Sequence, residues 1–137
     1  MNTPLEMFNL SAGMKPFLII KRLLEAGEIK EQGVLVFDEP EIHLHPEWQL
    51  KYAELLVALQ KEFKLNILLT THSPYFLNAI EVYSQKAGVS PDCINYYLSE
   101  TQGDGCTVQE VTGNLGLVYQ KLAEPFQVLE NLRYQED

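Results

Sequence analysis

Two short apolar segments, separated by one long amphipathic segment, constrain the fold of this chain more than any other feature. Residues 34–37 read VLVF and residues 66–71 read NILLTT. Such runs are typical of strands that are buried on both faces of a parallel sheet. Between them, Pro46 suits the first turn of a helix, and apolar side chains recur at helical spacing from Trp48 to Phe63. Strand, helix and strand with short links predict a βαβ unit with parallel strands and a right-handed crossover.

Helices are predicted on both sides of this unit. Residues 14–26 carry apolar side chains at helical spacing, and we expect Ser11 to cap that helix and Gly27 to end it. Trp48 and the apolar stripe that follows it are expected in the core. The pair Ser73 and Pro74 reads as a cap followed by the first residue of another helix, which should extend to about residue 85.

The C-terminal part follows a different pattern. Residues 93–99 and 106–111 are predicted strands of a β-hairpin that turns at Gln102-Gly103-Asp104-Gly105. The tail from Asn114 is predicted to be helical, with Pro125 breaking or kinking it into two pieces. The predicted fold class is therefore α/β, with parallel strands followed by a hairpin and a helical tail at 92–137.

Length and charge narrow the function classes. A chain of 137 residues suits one compact domain spanning residues 1–137. Ten Lys and Arg against nineteen Asp and Glu give a net charge of −9, which argues against direct binding to nucleic acid or to an anionic membrane. No apolar run approaches the roughly 20 residues of a membrane-spanning helix, the start does not resemble a signal peptide, and the two cysteines form no CxxC pair. A cytoplasmic protein is expected.

Polar side chains follow both predicted strands at the point where each strand ends. Asp38 and Glu39 follow the first strand, and His72 follows the second. Because ligands of open parallel α/β sheets bind beyond the carboxyl ends of the strands, we expect these three side chains to converge. An Asp in this position can hold Mg²⁺, a second carboxylate can polarise a water as general base, and a His can hydrogen-bond a transferring phosphoryl group.

Three segments resemble one known family. VLVFDEPEIHLHPEWQ resembles the Walker B and D-loop segment of ABC-type ATPase heads, and is most similar to the SMC, RecF and OLD-like branch. LLTTHSPYFL resembles the switch-histidine segment of that branch, and Asn9-Leu10-Ser11-Ala12-Gly13 resembles the signature motif. The motifs occur in the family's order and cover residues 8–79, so the resemblance implies part of a P-loop NTPase fold with three layers.

The resemblance also implies roles at the strand ends. Asp38 resembles the Walker B Asp that supports Mg²⁺, usually through water. Glu39 resembles the catalytic Glu that orients the attacking water. His72 resembles the switch His that contacts the γ-phosphate of ATP.

Two further segments resemble the parts of such heads that act on a partner's ATP. Ser11 and Gly13 resemble the signature residues whose hydroxyl and backbone N–H bind the γ-phosphate in trans at a helix N-terminus. His45 lies in the segment that resembles the D-loop, which crosses the dimer interface. Ala12 stands where the signature usually has its first Gly, which is a departure from the pattern.

One motif of the family is missing. A phosphate-binding loop needs Gly-x-x-x-x-Gly-Lys-Ser/Thr, and none of the eight glycines is followed by Lys. We therefore expect the C-terminal half of an ATPase head, which contributes to a composite Mg-ATP site but neither binds nor hydrolyses ATP alone. The expected partner is a second ATPase head or the missing N-terminal half, in a homo- or hetero-oligomer. Without this partner, an open sheet edge should cause self-association or marginal stability of the chain.

Two alternatives remain open. Glu41, His43 and His45, with Asp38 and His72, could form a Zn²⁺ or Mn²⁺ site and make the protein a metal-dependent hydrolase. Alternatively, the missing phosphate-binding loop favours a non-catalytic module that was derived from such an ATPase and regulates a relative. Retention of Asp38, Glu39 and His72 argues against this last interpretation.

Overall fold

The structure is a computed structural model that describes residues 12–134, with side chains from Gly13 onward. The chain divides into two compact units, Met1–Val89 and Ser90–Asp137. We call them the first unit and the second unit. The prediction that residues 1–137 form one domain stays a prediction.

The first unit contains the predicted βαβ arrangement. Its elements are a short 3-10 helix (Ala12–Met14), α1 (Lys15–Glu25), β1 (Val34–Asp38), α2 (Pro46–Phe63), β2 (Asn66–Thr70) and α3 (Pro74–Lys86). Strands β1 and β2 pair in parallel, with Val34 opposite Asn66 and Asp38 opposite Thr70. This register places the carboxyl ends of both strands side by side, and the predicted α/β class is confirmed.

Local chemistry explains where the helices of the first unit begin and end. The amide of Gly27, at a φ of 67°, donates to the carbonyl of Leu24 at 3.0 Å, which ends α1 as predicted. At the start of α3, the Ser73 hydroxyl accepts a hydrogen bond from the Phe76 amide at 3.2 Å, which confirms the predicted cap. The predicted cap of α1, Ser11, lies outside the described residues.

An aromatic row joins the three helices of the first unit. The ring of Phe17 on α1 meets Tyr52 on α2 edge-on at 5.0 Å, and Tyr52 stacks on Phe76 of α3 at 6.2 Å. The surrounding apolar core consists of Ile20, Ile29, Leu44, Ala53, Leu56, Leu59, Leu65 and Ala79. Burial of this cluster is the main stabilising contribution that the first unit shows.

The two-stranded sheet is covered on one face only within the described residues. Leu35, Phe37, Ile67 and Leu69 pack against the core. Val34, Val36 and Leu68 point the other way and are 70%, 68% and 61% exposed. The prediction that these strands are buried on both faces is therefore wrong for the described part of the chain, because α1, α2 and α3 supply one covering layer.

Trp48 also differs from its prediction. It lies near the start of α2 and is about half exposed rather than part of the core. Its ring meets Phe17 edge-on at 5.5 Å, while the ammonium of Lys51 lies 4.9 Å from its centroid. Trp48 therefore covers the edge of the aromatic row.

The second unit contains the predicted hairpin and one long helix. After a 3-10 turn (Pro91–Cys93), β3 (Tyr97–Gln102) pairs antiparallel with β4 (Gly105–Glu110), and α4 spans Leu115–Tyr134. Gly103 turns the hairpin at a φ of 56°. The predicted break at Pro125 is absent, because Pro125 lies inside a single helix. No helix in residues 12–134 is long and apolar enough to cross a membrane.

Candidate functional site

The site begins at the last residue pair of the parallel strands. Asp38 ends β1 and Thr70 ends β2, and the register places them opposite each other. The hydroxyl of Thr70 donates a hydrogen bond of 2.6 Å to Oδ1 of Asp38. This charge-assisted bond fixes one carboxylate oxygen of Asp38 at the sheet edge.

The backbone turns sharply at the next residue, Glu39. Its φ is 43°, a left-handed conformation that is uncommon for a residue other than glycine. The Glu39 amide donates both to the carbonyl of Thr70, at 3.2 Å, and to the Thr70 hydroxyl, at 3.0 Å. These bonds hold the chain in a conformation that costs on the order of 1 kcal/mol.

Glu39 and His72 meet beyond the strand ends. His72 Nε2 lies 2.6 Å from Oε1 of Glu39, within hydrogen-bond distance. The His72 side chain is 85% exposed and that of Glu39 is 30% exposed. A carboxylate and an imidazole that touch each other and face water can bind a polar ligand and move a proton. The structure thus brings these two predicted residues into contact, and Asp38 directly precedes Glu39 at the end of β1.

A buried carboxylate joins the loop after β1 to the segment after β2. Glu41 is almost fully buried, and its Oε1 accepts a hydrogen bond from the Thr71 hydroxyl. Its Oε2 has no hydrogen-bond partner among the residues that the structure describes. Because a buried carboxylate is costly unless it is paired, this contact strongly favours one arrangement of the two segments.

A second set of contacts joins α2 to the start of α3. The Ser73 hydroxyl donates to Oε1 of Gln49 at 2.5 Å, and Nε2 of Gln49 donates to the carbonyl of Leu44 at 3.1 Å. Leu44 is buried in the core. The segment that carries His72 is therefore held at Thr71 and at Ser73, on either side of the histidine.

The remaining predicted site residues lie apart from this contact. His43 and His45 are exposed, and no group of three or more His, Cys, Asp or Glu in the described range is placed to hold a metal ion. Gly13 lies against the loop that follows β1, where a Cβ would come within 3.2 Å of the His43 carbonyl. Ser11 is outside the described residues. The transition-metal alternative therefore has no ligand set in this part of the chain.

Sequence reasoning missed Thr70 and the Glu41–Thr71 contact. A signal for Thr70 was present, since it ends the second apolar run as Asp38 ends the first. Its importance depends on the strand register, which the two segments do not reveal separately. The sequence predicts Glu41 only as a ligand in the transition-metal alternative, because its burial depends on how the loop folds back.

Comparisons with a solved structure and with protein families identify the fold and the family. Over 93% of this chain and 64% of the other, the fold matches a structure from work on "ATP-driven dimerization and DNA stimulated activation of SMC ATPases". The TM-score is 0.54 and the sequence identity is 14%, so the likeness shows a shared fold. Residues 1–78 match a family described as "AAA domain, putative AbiEii toxin, Type IV TA system", and the chain belongs to this family.

Curated relatives are consistent with this assignment. The chain is 35% identical over 98 residues to the Septu protein PtuA of Bacillus thuringiensis, and this match covers 66% of this chain and 24% of PtuA. It is 32% identical over 91 residues to the "Retron Ec83 probable ATPase" of Escherichia coli, which covers 58% of this chain and 16% of that protein. The matched part of the chain thus covers about a quarter or less of the length of these relatives.

Proposed function

We propose that this chain carries the hydrolytic residues of a composite Mg-ATP site. Asp38 supports Mg²⁺, Glu39 orients the attacking water, and His72 contacts the γ-phosphate. The observation that carries the proposal is the 2.6 Å contact between Glu39 and His72 at the sheet edge that Asp38 also occupies. Membership of an AAA family and the SMC-type fold support ATP as the substrate.

The residues at the strand ends fit a magnesium ion. Mg²⁺ prefers oxygen ligands, uses one or two carboxylates and keeps several waters. Asp38 offers a carboxylate, and the Thr70 bond is made to Oδ1. When bound, the ion would neutralise charge on the phosphates of the nucleotide.

Glu39 and His72 have the two remaining roles, accepting a proton from water and contacting the phosphoryl group. The Glu39 carboxylate accepts a proton from water, because it lies at the sheet edge and is partly open to solvent. His72 contacts Oε1 of Glu39 through Nε2 and so holds that carboxylate in place, while its other ring nitrogen, Nδ1, would contact the transferring phosphoryl group. The backbone of Glu39 is fixed by Thr70, so the carboxylate starts from a constrained position.

The partner is a second ATPase head, or another segment that supplies the phosphate-binding loop. The sequence has no such loop. The exposed face formed by Val34, Val36 and Leu68 offers apolar surface for further strands or helices. Ser11, Gly13 and His45 would then act on ATP bound by the partner. The close approach of Gly13 to the His43 carbonyl supports a shared surface for these segments.

Glu39→Gln tests the proposal in the complete protein or complex that supplies the phosphate-binding loop. We expect kcat for ATP hydrolysis to fall about 100- to 10,000-fold, the range for loss of a general base, with KM for ATP nearly unchanged. Glu54→Gln is the matched control, since it makes the same chemical change at an exposed site on α2. Unchanged hydrolysis by Glu39→Gln would instead support the non-catalytic module.

Calorimetry on the 137-residue chain tests the composite character of the site. We expect no heat of Mg-ATP binding, because the backbone cradle for the phosphates is missing. Binding that Asp38→Ala abolishes would show that the chain builds a nucleotide site by itself, which contradicts the composite site.

A further inference from the structure

We infer that Thr70 is a positioning residue that sets both carboxylates of the proposed ATPase site through one hydroxyl group. The inference rests on the proposed function for its catalytic consequence. Its geometric part rests on two hydrogen bonds that meet at the same atom, Oγ1 of Thr70. Neither bond follows from the motif residues Asp38, Glu39 and His72 themselves.

The first bond orients Asp38. A threonine hydroxyl has one proton to donate, and here it goes to Oδ1 of Asp38 over 2.6 Å. The carboxylate plane is therefore restrained from rotating about its terminal torsion, which is otherwise broad. In the proposed site this restraint leaves the second oxygen directed away from Thr70 for Mg²⁺ or its water.

The second bond orients Glu39. With its proton committed to Asp38, the Thr70 oxygen accepts from the Glu39 amide at 3.0 Å. The Thr70 carbonyl accepts from the same amide at 3.2 Å, so Thr70 supplies two acceptors to one N–H. This pair of bonds opposes the intrinsic preference of Glu39 for a negative φ and holds the observed value of 43°.

Thr70 is suited to this task by its shape as well as by its hydroxyl. Its β-branched side chain is stiff at χ1 and favourable in a strand, so the oxygen is presented in a defined direction. Valine has nearly the same shape and lacks the hydroxyl, whereas serine keeps the hydroxyl and lacks the methyl. Thr70→Val and Thr70→Ser therefore separate the hydrogen bonds from the packing of the side chain.

Steady-state hydrolysis in the complete protein or complex tests the catalytic part. We expect Thr70→Val to lower kcat about ten- to a hundredfold, as expected for losing a hydrogen bond to a charged group, with KM for ATP unchanged. The Mg²⁺ concentration for half-maximal rate should rise severalfold. Thr70→Ser should stay within about threefold of the unaltered protein. The control is Thr101→Val, the same substitution at an exposed position of β3.

Two results would overturn the catalytic part. One is a kcat for Thr70→Val within about twofold of the unaltered protein, and the other is a Thr70→Ser variant that is as slow as Thr70→Val. Glu39→Gln in the same assay identifies the source of a failure. If Glu39→Gln is inactive while Thr70→Val is normal, only this inference fails; if Glu39→Gln is fully active, the proposed function fails.

Amide hydrogen exchange on the 137-residue chain tests the contact without nucleotide. In the unaltered chain the Glu39 amide should be protected, since it has two acceptors. Thr70→Val should speed its exchange about fivefold, because one acceptor remains, and Thr70→Ser should not. An unprotected Glu39 amide in the unaltered chain would overturn the inference even if the valine variant failed to fold.

Discussion

The two units of this chain differ in the contacts that each one makes within itself. Among the described residues, every buried apolar side chain except Val111 belongs to the first unit. The second unit contains the hairpin ladder, and Lys121 contacts Glu100 at 3.0 Å and Glu124 at 3.1 Å on its surface. Helix α4 leaves several large apolar side chains in water, including Phe126, which is 69% exposed.

The location of the candidate site follows this difference. Groups that must be placed to within a fraction of an ångström require elements whose positions are fixed by packing. Asp38, Glu39 and His72 lie at the ends of strands that rest on the helices of the first unit. The second unit lacks a comparable packed layer in the part that the structure describes.

Removing one large side chain from each unit should give the largest difference in stability. Phe76→Ala should lower the free energy of unfolding by about 3–5 kcal/mol, because Phe76 is fully buried and stacks on Tyr52. Phe126→Ala, the matched control on α4, should change it by less than about 0.5 kcal/mol. Urea titration followed by amide signals from each unit measures both. Similar losses for the two variants would mean that α4 packs as tightly as the core.

Alkaline pH should lower the free energy of unfolding of the first unit, because Tyr52 is buried there. Burial raises the pKa of Tyr52 to about 12, above its ordinary value of 10.0. Between these pH values the unfolded chain releases a proton that the folded chain keeps, so stability falls as pH rises, by about 2–3 kcal/mol in total. Tyr52→Phe should abolish this part of the loss, whereas Tyr134→Phe, at an exposed site, should not. Denaturant titrations from pH 9 to about 12 test the effect; an identical pH slope in Tyr52→Phe would refute it.

A serine followed by proline occurs once in each unit and provides the finest comparison. Ser73 caps α3 and also donates to Gln49, whereas Ser90 precedes the 3-10 turn without a side-chain cap bond. Ser73→Ala should cost about 1 kcal/mol of stability and Ser90→Ala close to nothing. Thermal unfolding of the two variants side by side gives the answer. Equal shifts in Tm would indicate that the cap of α3 contributes no stability.

Much of the fold could be predicted because the signals are local. The helix ends are marked by residues of the helix ends themselves, namely Pro46, Ser73 and Gly27. The hairpin is likewise marked by the turn at Gly103 and the residues that flank it. Exposure of the sheet face could not be predicted, because VLVF is equally apolar whether one layer or two layers cover it. The continuity of the helix through Pro125 could not be predicted either, because it depends on how α4 accommodates a missing amide.

The candidate site also has some features that the sequence predicts and others that it does not. The approach of Glu39 to His72 follows from parallel topology, which sends both strand ends to one edge. The contribution of Thr70 depends on which residue of β2 faces Asp38, and no local pattern specifies this. The burial of Glu41 depends on a loop that folds back towards Thr71. The roles of Ser11, Gly13 and His45 stay predictions.

The register of β1 and β2 has a consequence for insertions and deletions. Successive residues of a strand point to opposite faces, so a slip by one position would place Leu69 or Thr71 opposite Asp38 and move the Thr70 hydroxyl away. An insertion or deletion that shifted this register would therefore disrupt the candidate site, although it changes none of the motif residues.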